Sequence, residues 1–180
     1  EAAKAGFKEI QYDYIRFAEN FSAFQPNLTH SMGRYEGSDL PMEELRVKAI
    51  NDFIEYAQER LRPYQVDIGI DIFGYTATVP EDSDIGQNFQ QMAERGDVVS
   101  SMIYPSHWGP GYFGLRAPDT APYEVVQNYI VQEIEILSAV EHPPITRPWL
   151  QDFTASYLGS GWYIPYGPAE VKAQVQALKD

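Results

Sequence analysis

Hydrophobic and polar positions follow two different periods along this chain, and the two periods alternate. Four runs rich in β-branched and aromatic residues predict β-strands, namely residues 8–16, 66–75, 97–105 and 145–153. Between and after them, apolar residues recur every three or four positions, which predicts amphipathic helices over residues 41–63, 82–95, 121–140 and 167–180. Strands separated by helices indicate parallel βαβ units.

Local signals refine these elements. Ser83 or Asp84 is the expected N-cap of the helix over residues 82–95. Pro148 has no N–H, so the fourth strand must place it where the sheet ladder needs no donor. Residues 18–40 are rich in Asn, Gly, Pro and Ser and predict a long polar loop.

The predicted fold class is α/β, with about four parallel strands alternating with helices. An open sheet of four such strands would leave two bare edges. The pattern also predicts a helix at each end of residues 1–180. We interpret these residues as a single domain. The economical interpretation is half of a TIM-type (β/α)8 barrel. The alternative is a small, self-contained open sheet.

Composition narrows the function classes. The net charge is −13, which argues against nucleic acid and anionic membrane surfaces as partners. No run of about 18 apolar residues occurs, so no membrane span is expected. With no Cys, only three His and no HExxH motif, no metal site or cofactor is expected. Aromatic residues make up 14% of the chain, which suits either a sugar-binding cleft or a well-filled core.

Candidate chemistry follows from a rule of parallel α/β folds, in which functional groups gather at the C-terminal ends of the strands. Three of the four predicted strands place an acid there: Asp13, Asp71 and Asp152. The side chains expected to bind substrate around these acids are Arg16, Tyr104, His107, Trp108, Trp149 and Gln151.

Carboxylates ringed by aromatic side chains are the groups that break a glycosidic bond. One acid must be protonated to release the leaving oxygen, and another must be ionised to attack the anomeric carbon or to activate water. Two neighbouring acids acquire different pKa values, which assigns these roles. Arg16 could keep one carboxylate ionised, while Tyr104, Trp108 and Trp149 could stack on sugar rings.

Several of these residues also have structural interpretations. Asp13 could be a buried acid tied to Arg16 or to backbone amides, and His107 could be an ordinary surface residue. Gln151 and Asp152 are neighbours that face opposite ways, so only one of them can point into the barrel. The Glu-rich stretches "EEL" and "EIE" of the helices, the latter at residues 133–135, are expected to be solvated faces.

Motifs across the whole chain resemble a bacterial family of glycoside-hydrolase-like domains whose activity is itself inferred. The matching stretches are "EIQYDYIRF", "DIFGY" followed by "DIGQ", "SSMIYPSHWGPGYFG" with "PYEVV", and "RPWLQDF". The sequence departs from the family pattern at Ala18 and Ser101, where Pro is usual, and neither departure removes a candidate catalytic group.

The resemblance implies a (β/α)8 barrel near the α-amylase-like enzymes, with this chain supplying strands four to seven. By this resemblance, residues 1–180 would lack strands one to three and eight of the barrel. Carried over by position, the resemblance implies Asp13 as nucleophile, Asp71 as acid and Asp152 as stabilising acid. An Asp on strand five departs from the usual Glu of that position.

Three functions remain open at this point. The first is a glycosidase acting on a polysaccharide or oligosaccharide. The second is a non-catalytic carbohydrate-binding or cell-wall-associated barrel, which would keep the aromatic residues and tolerate loss of Asp71. The third is a structural role in which the rest of the barrel or a second copy covers the open edges. The compartment stays open, with a secreted or cell-envelope setting slightly favoured.

Overall fold

A computed structural model describes residues 1–79 and 84–180 of the chain. Its sheet contains five short parallel strands: β1 (Glu9–Tyr12), β2 (Asp67–Phe73), β3 (Val98–Ile103), β4 (Ile145–Thr146) and β5 (Trp149–Leu150). The order is β1-β2-β3-β4, and β5 also pairs with β3. Because β4 and β5 are two pieces of one strand position, the sheet has four positions. With its alternating helices it forms the half-barrel of an α/β partial barrel, as predicted.

The four predicted helices are present, one of them much shortened, and a further single turn of α-helix lies in the predicted loop over residues 18–40. The α-helices are α1 (Phe21–Phe24), α2 (Met42–Leu61), α3 (Phe89–Ala93), α4 (Pro122–Leu137) and α5 (Pro168–Ala177). Short 3₁₀ turns lie in several of the loops between these elements. In the described part of the chain, no helix is both long and apolar enough to cross a membrane.

Helix α3 is much shorter than the predicted helix over residues 82–95. Gly86 has a φ of +74°, a left-handed conformation that interrupts a right-handed helix. The N-cap is Asn88, whose side chain accepts a hydrogen bond from the Gln91 N–H. Asp84 does not cap this helix, because it accepts instead from the Ser22 N–H and from Arg46. Ser83, the other predicted cap, lies outside the described residues.

Two strands are shorter than the pattern predicted, for local reasons. Strand β1 ends at Tyr12, and Tyr14 soon follows with a φ of +57° that no strand continues through. The fourth predicted strand divides into β4 and β5 around Arg147 and Pro148. Pro148 therefore lies where no ladder N–H is needed, as expected.

The hydrophobic core lies on the helix-facing side of the sheet. Ile70 and Val99 are register partners on β2 and β3, and both are fully buried. They pack into one cluster with residues of α3 and α4, including Met92 and Tyr129. Because side chains alternate across a strand, the intervening residues point to the opposite, concave face. That inner face is free to carry polar side chains.

The structure corrects one prediction about surface charge. Glu133 of the "EIE" stretch is completely buried rather than solvated. Its carboxylate accepts a 2.7 Å hydrogen bond from the Ser101 hydroxyl and another from the Thr146 hydroxyl. The Glu133 carboxylate thus connects helix α4 to strands β3 and β4. Ser101 donates one of these hydrogen bonds, which a Pro at this position could not donate.

Truncating this acid is expected to destabilise the fold. Glu133→Ala leaves the buried Ser101 hydroxyl and the partly buried Thr146 hydroxyl without their acceptor, which should lower the free energy of unfolding by about 2–4 kcal/mol. Urea denaturation measures the change. Glu135→Ala is the matched control, because Glu135 is exposed on the same helix. Equal effects of the two substitutions would contradict the proposed anchoring role of Glu133.

Candidate active site

The inner face of the sheet carries polar side chains in layers. Near the start of the strands, Arg147 forms an ion pair with Glu9 across the sheet. One layer further along the strands, Gln11 of β1 and Trp149 of β5 both reach Asp71 of β2. The layers follow from the period of two along each strand, which puts Glu9 and Gln11 on the same face.

Asp71 is the most enclosed acid of this face, with only 6% of its surface exposed. The Gln11 amide donates to its Oδ1, and the Trp149 Nε1–H donates to the same oxygen at 3.3 Å. Burial raises the pKa of Asp71, the two donors lower it, and the nearby Asp13 charge raises it again; the net direction is upward. The Asp71 carboxyl therefore holds its proton to higher pH than an ordinary Asp.

Asp13 lies just past the end of β1 and is exposed, unlike the buried acid that one interpretation of the sequence allowed. Its Oδ1 accepts a 2.7 Å hydrogen bond from the Tyr14 N–H. Tyr14 itself is 76% exposed and left-handed, a conformation that is uncommon for a residue with a Cβ atom. Such local strain often accompanies functional sites. Asp13 is thus held in a fixed position at the rim.

A single cavity joins the two acids. It has a volume of about 450 Å³. Five of the residues singled out from the sequence line this acid cavity: Asp13, Arg16, Asp71, Tyr104 and His107. The structure adds lining residues that the sequence analysis did not name: Tyr14, Glu19, Phe73, Gln87 and Met102.

Electrostatics connect a third acid to this cavity. Burial raises the pKa of Tyr104, and the charges of Asp71, Asp13 and Asp152 raise it further, in that order. Asp152 is exposed, whereas its neighbour Gln151 is completely buried. The Gln151 side chain donates to Asp119 at 2.7 Å and accepts from the Ser106 N–H at 3.0 Å. Of these two neighbours, the structure brings Asp152 toward the rim and uses Gln151 to hold loops together.

Arg16 presents a cation to the cavity, and His107 presents an aromatic ring. The Arg16 guanidinium carbon lies 4.8 Å from the centre of the Phe73 ring and 5.3 Å from that of Tyr14, and its Nη1 donates to the Phe17 carbonyl. The His107 ring packs edge-on against Tyr104 at 5.0 Å. Burial lowers the pKa of His107 and the nearby Glu19 charge opposes this, so its imidazole loses its proton at lower pH than an ordinary His.

The two predicted stacking tryptophans lie in different environments. Trp149 is 49% exposed on the inner face, where its ring can meet a ligand. Trp108 is only 5% exposed, and its ring packs 5.7 Å from Tyr129 and 5.6 Å from Phe113. The turn Pro105–His107 directs His107 to the rim and the next side chain into the core. Trp108 is thus not brought to the acid cavity.

Gln11, which donates to Asp71 beside the cavity, could have been found from the sequence. Gln11 lies two positions before Asp13, so the period of two along a strand puts it on the same face. Glu19 and Gln87 carry no such signal, because they reach the cavity from loops. Across the described ranges, no group of three or more His, Cys, Asp or Glu side chains is placed to hold a metal ion.

Comparison with solved structures supports the barrel architecture. The chain is similar to the glycoside hydrolase domain of PgaB (BpsB) from Bordetella bronchiseptica, with a TM-score of 0.56 and 15% sequence identity. The match covers 99% of this chain and 50% of that one. This chain therefore spans about half the length of the solved domain, and at this identity the likeness shows the fold alone.

Comparison at the level of sequence defines the family. No curated protein matches the chain. The family described as "Putative glycosyl hydrolase domain" matches residues 1–180, the whole of the chain. The matched residues include Asp13 and Asp71. The chain belongs to this family of glycosyl hydrolase domains.

Proposed function

We propose that this domain hydrolyses glycosidic bonds of an oligosaccharide or polysaccharide, with Asp71 as the proton donor and Asp13 as its ionised partner. One observation carries the proposal: the enclosed Asp71, whose pKa is raised, and the exposed Asp13 line the same cavity of about 450 Å³. An acid that keeps its proton beside one that is free to ionise is the pair that glycoside hydrolysis requires.

The contacts of Asp71 suit a proton donor. Both Gln11 and Trp149 donate to Oδ1, so the proton belongs on Oδ2. In the reaction this proton passes to the leaving glycosidic oxygen. The Asp13 carboxylate either attacks the anomeric carbon or takes a proton from the water that does. Asp152, whose charge reaches Tyr104, would stabilise the positive charge that develops on the sugar.

Substrate binding falls to the side chains around the acids. The half-exposed Trp149 offers an indole face beside Asp71, and Tyr104 and His107 border the other side of the cavity. Tyr14, fixed next to Asp13, adds a phenol that stands out into solvent. Aromatic faces of this kind pack against the apolar faces of sugar rings, while their polar edges hydrogen-bond to hydroxyls.

The activity is tested with a panel of defined oligosaccharides. The protein is incubated with the dimers to hexamers of cellulose, starch and chitin, and new reducing ends are measured. We expect cleavage of at least one series and no cleavage by the Asp71→Asn/Asp13→Asn double variant. Binding of a glycan without any new reducing ends would instead support a non-catalytic carbohydrate-binding domain.

The pH profile is expected to report on Asp71. The donor at Trp149 Nε1 stabilises the ionised carboxyl, so Trp149→Phe removes a contact that lowers the pKa of Asp71 and thereby raises that pKa. Since a general acid must be protonated, the basic limb of kcat/KM should move to higher pH. Initial rates across pH measure this shift. Tyr157→Phe, a change at an exposed side chain outside the acid cavity, is the control, and a basic limb that stays in place would contradict the donor role of Asp71.

We also propose that further strands or a second copy cover the inner face. In the described sheet, β1 and the β4–β5 position are the outermost strands. The Arg147 side chain on the inner face is 54% exposed. Polar groups in such layers are normally enclosed in a barrel. The native mass in solution, compared with the mass of this chain, tests the proposal; a monomer of this chain alone with full activity would contradict it.

A further inference from the structure

His107 lines three adjoining cavities along the rim of the half-barrel. The first is the acid cavity described above. The second, of about 550 Å³, lies beside Asn20 and Tyr75. The third, of about 400 Å³, lies between the loop after β3 and the loop after β5. Since all three share this side chain, the acid cavity and the other two meet at His107 and can be occupied by one extended ligand.

The third cavity, here called the Trp162 cavity, has a distinct lining. Its walls include Trp162 and Leu158 from the loop after β5, and Gly109 and Pro110 from the loop after β3. The Arg116 guanidinium carbon lies 5.0 Å from the centre of the Trp162 ring. The Arg116 guanidinium therefore packs against the Trp162 indole, which also borders the cavity.

A buried acid holds this indole in place. Asp119 is 1% exposed and lines the Trp162 cavity. It accepts hydrogen bonds from the Gln151 side chain at 2.7 Å and from the Ile164 N–H at 3.4 Å. Its backbone carbonyl accepts from the Tyr166 hydroxyl at 3.1 Å. These contacts join the loop that carries Trp162 to the end of β5, so the indole is preorganised.

The cavity wall also has spare hydrogen-bonding capacity. Ser106 and Trp108 both line it, and both are more than nine-tenths buried. Within the described part of the chain, the Ser106 Oγ and Trp108 Nε1 atoms have no hydrogen-bond partner. Buried polar atoms usually have one. Because both atoms are shielded from solvent, a ligand with several hydroxyl groups would supply it if the wall adjusts on binding.

We propose that the Trp162 cavity is a second sugar-binding site, which holds a unit of the same glycan that is cleaved in the acid cavity. The inference rests on the proposed function. A neutral polyhydroxylated ring fits an aromatic wall with a buried carboxyl beneath it, whereas a free anion would face Asp119. The cleft therefore takes an oligosaccharide or polysaccharide chain across His107, and short fragments leave this site empty.

Fluorine NMR separates the two sites. The chain has three tryptophans. Trp149 contacts Asp71 on the inner face, Trp108 is buried in the wall of the Trp162 cavity, and Trp162 borders that cavity. Incorporating 5-fluorotryptophan gives three resonances, which single Trp→Phe variants assign. The probes are the same cellulose, starch and chitin oligosaccharides, added to the Asp71→Asn variant so that they stay intact. We expect hexamers to shift the Trp149 and Trp162 resonances and dimers to shift Trp149 alone.

The outcomes are distinguishable. If Trp149 responds and Trp162 stays unchanged with every length, the second site is overturned and the proposed hydrolysis still stands. If Trp162 responds but the unaltered protein releases no reducing ends, the second site stands and the hydrolysis falls. If neither resonance moves with any probe, the second site is overturned as well.

Kinetics provide a matched comparison on a cleaved series. Trp162→Ala should raise KM for hexamers roughly tenfold, equivalent to about 1.4 kcal/mol, and leave KM for the shortest cleaved substrate unchanged. Tyr157→Ala is the control, because Tyr157 is 70% exposed in the same loop. An equal rise in KM for short and long substrates would contradict a separate site.

Discussion

Replacing Asp71 by Asn is expected to lower kcat by about 10²–10⁴-fold, the usual contribution of a positioned general acid. The Asn side chain keeps an oxygen that can accept from Gln11 and Trp149, so the geometry is retained while the transferable proton is lost. Initial rates on a cleaved oligosaccharide measure the effect. A substrate with a very acidic leaving group should lose much less, because such a group needs no protonation.

The same substitution should not weaken the fold. A carboxyl whose pKa is raised on folding binds more protons in the folded than in the unfolded state, so its contribution to stability falls as pH rises through that pKa. Above that pKa the ionised Asp71 is unfavourable, and Asn removes that cost. Asp67→Asn is the matched control, since Asp67 is exposed at the start of the same strand. A variant that unfolds more easily while keeping its turnover would show that Asp71 is a structural acid.

The second large effect is expected at Asp13. Asp13→Asn should also lower kcat by orders of magnitude, because an amide can neither attack the anomeric carbon nor activate water. The Asn oxygen can still accept from the Tyr14 N–H, and the residue is exposed, so the melting temperature should barely change. Steady-state kinetics and thermal unfolding on one preparation check both expectations.

Glu19→Gln is the control for Asp13. Glu19 lines the same cavity and carries the same charge, but it lies in a loop rather than at a strand end. It should retain most of the activity. If Glu19→Gln abolishes turnover and Asp13→Asn does not, then Glu19 is the ionised partner, and the assignment by strand position is wrong.

The local pattern of hydrophobic and polar residues predicted much of the fold and three of the residues at the candidate site. The period of two along "VDIGIDIF" put Asp67, Gly69 and Asp71 on one face, and the structure keeps that face as the concave one. The alternation of strands and helices predicted the parallel half-barrel. The rule that function gathers at the C-terminal ends of parallel strands then brought Asp13, Asp71 and Tyr104 to one rim. These are properties of the chain itself, since side-chain alternation and strand direction need no knowledge of distant contacts.

Other features depend on contacts between segments that are distant in the sequence, and only the tertiary structure decided those features. Glu133 reads as surface charge in its helix, yet it is buried because Ser101 and Thr146 meet it there. Trp108 and His107 are neighbours in the sequence. Only the packing of α4 against the turn places Trp108 in the core and His107 at the cleft. Asp71 differs from Asp67 in its burial beside Gln11 and Trp149, which come from strands 60 and 78 residues away in sequence. The sequence determined which side chains reach the rim; the raised pKa of Asp71 and the cleft around His107 arise only when those distant strands and loops pack together, because burial and charge proximity are properties of the folded chain.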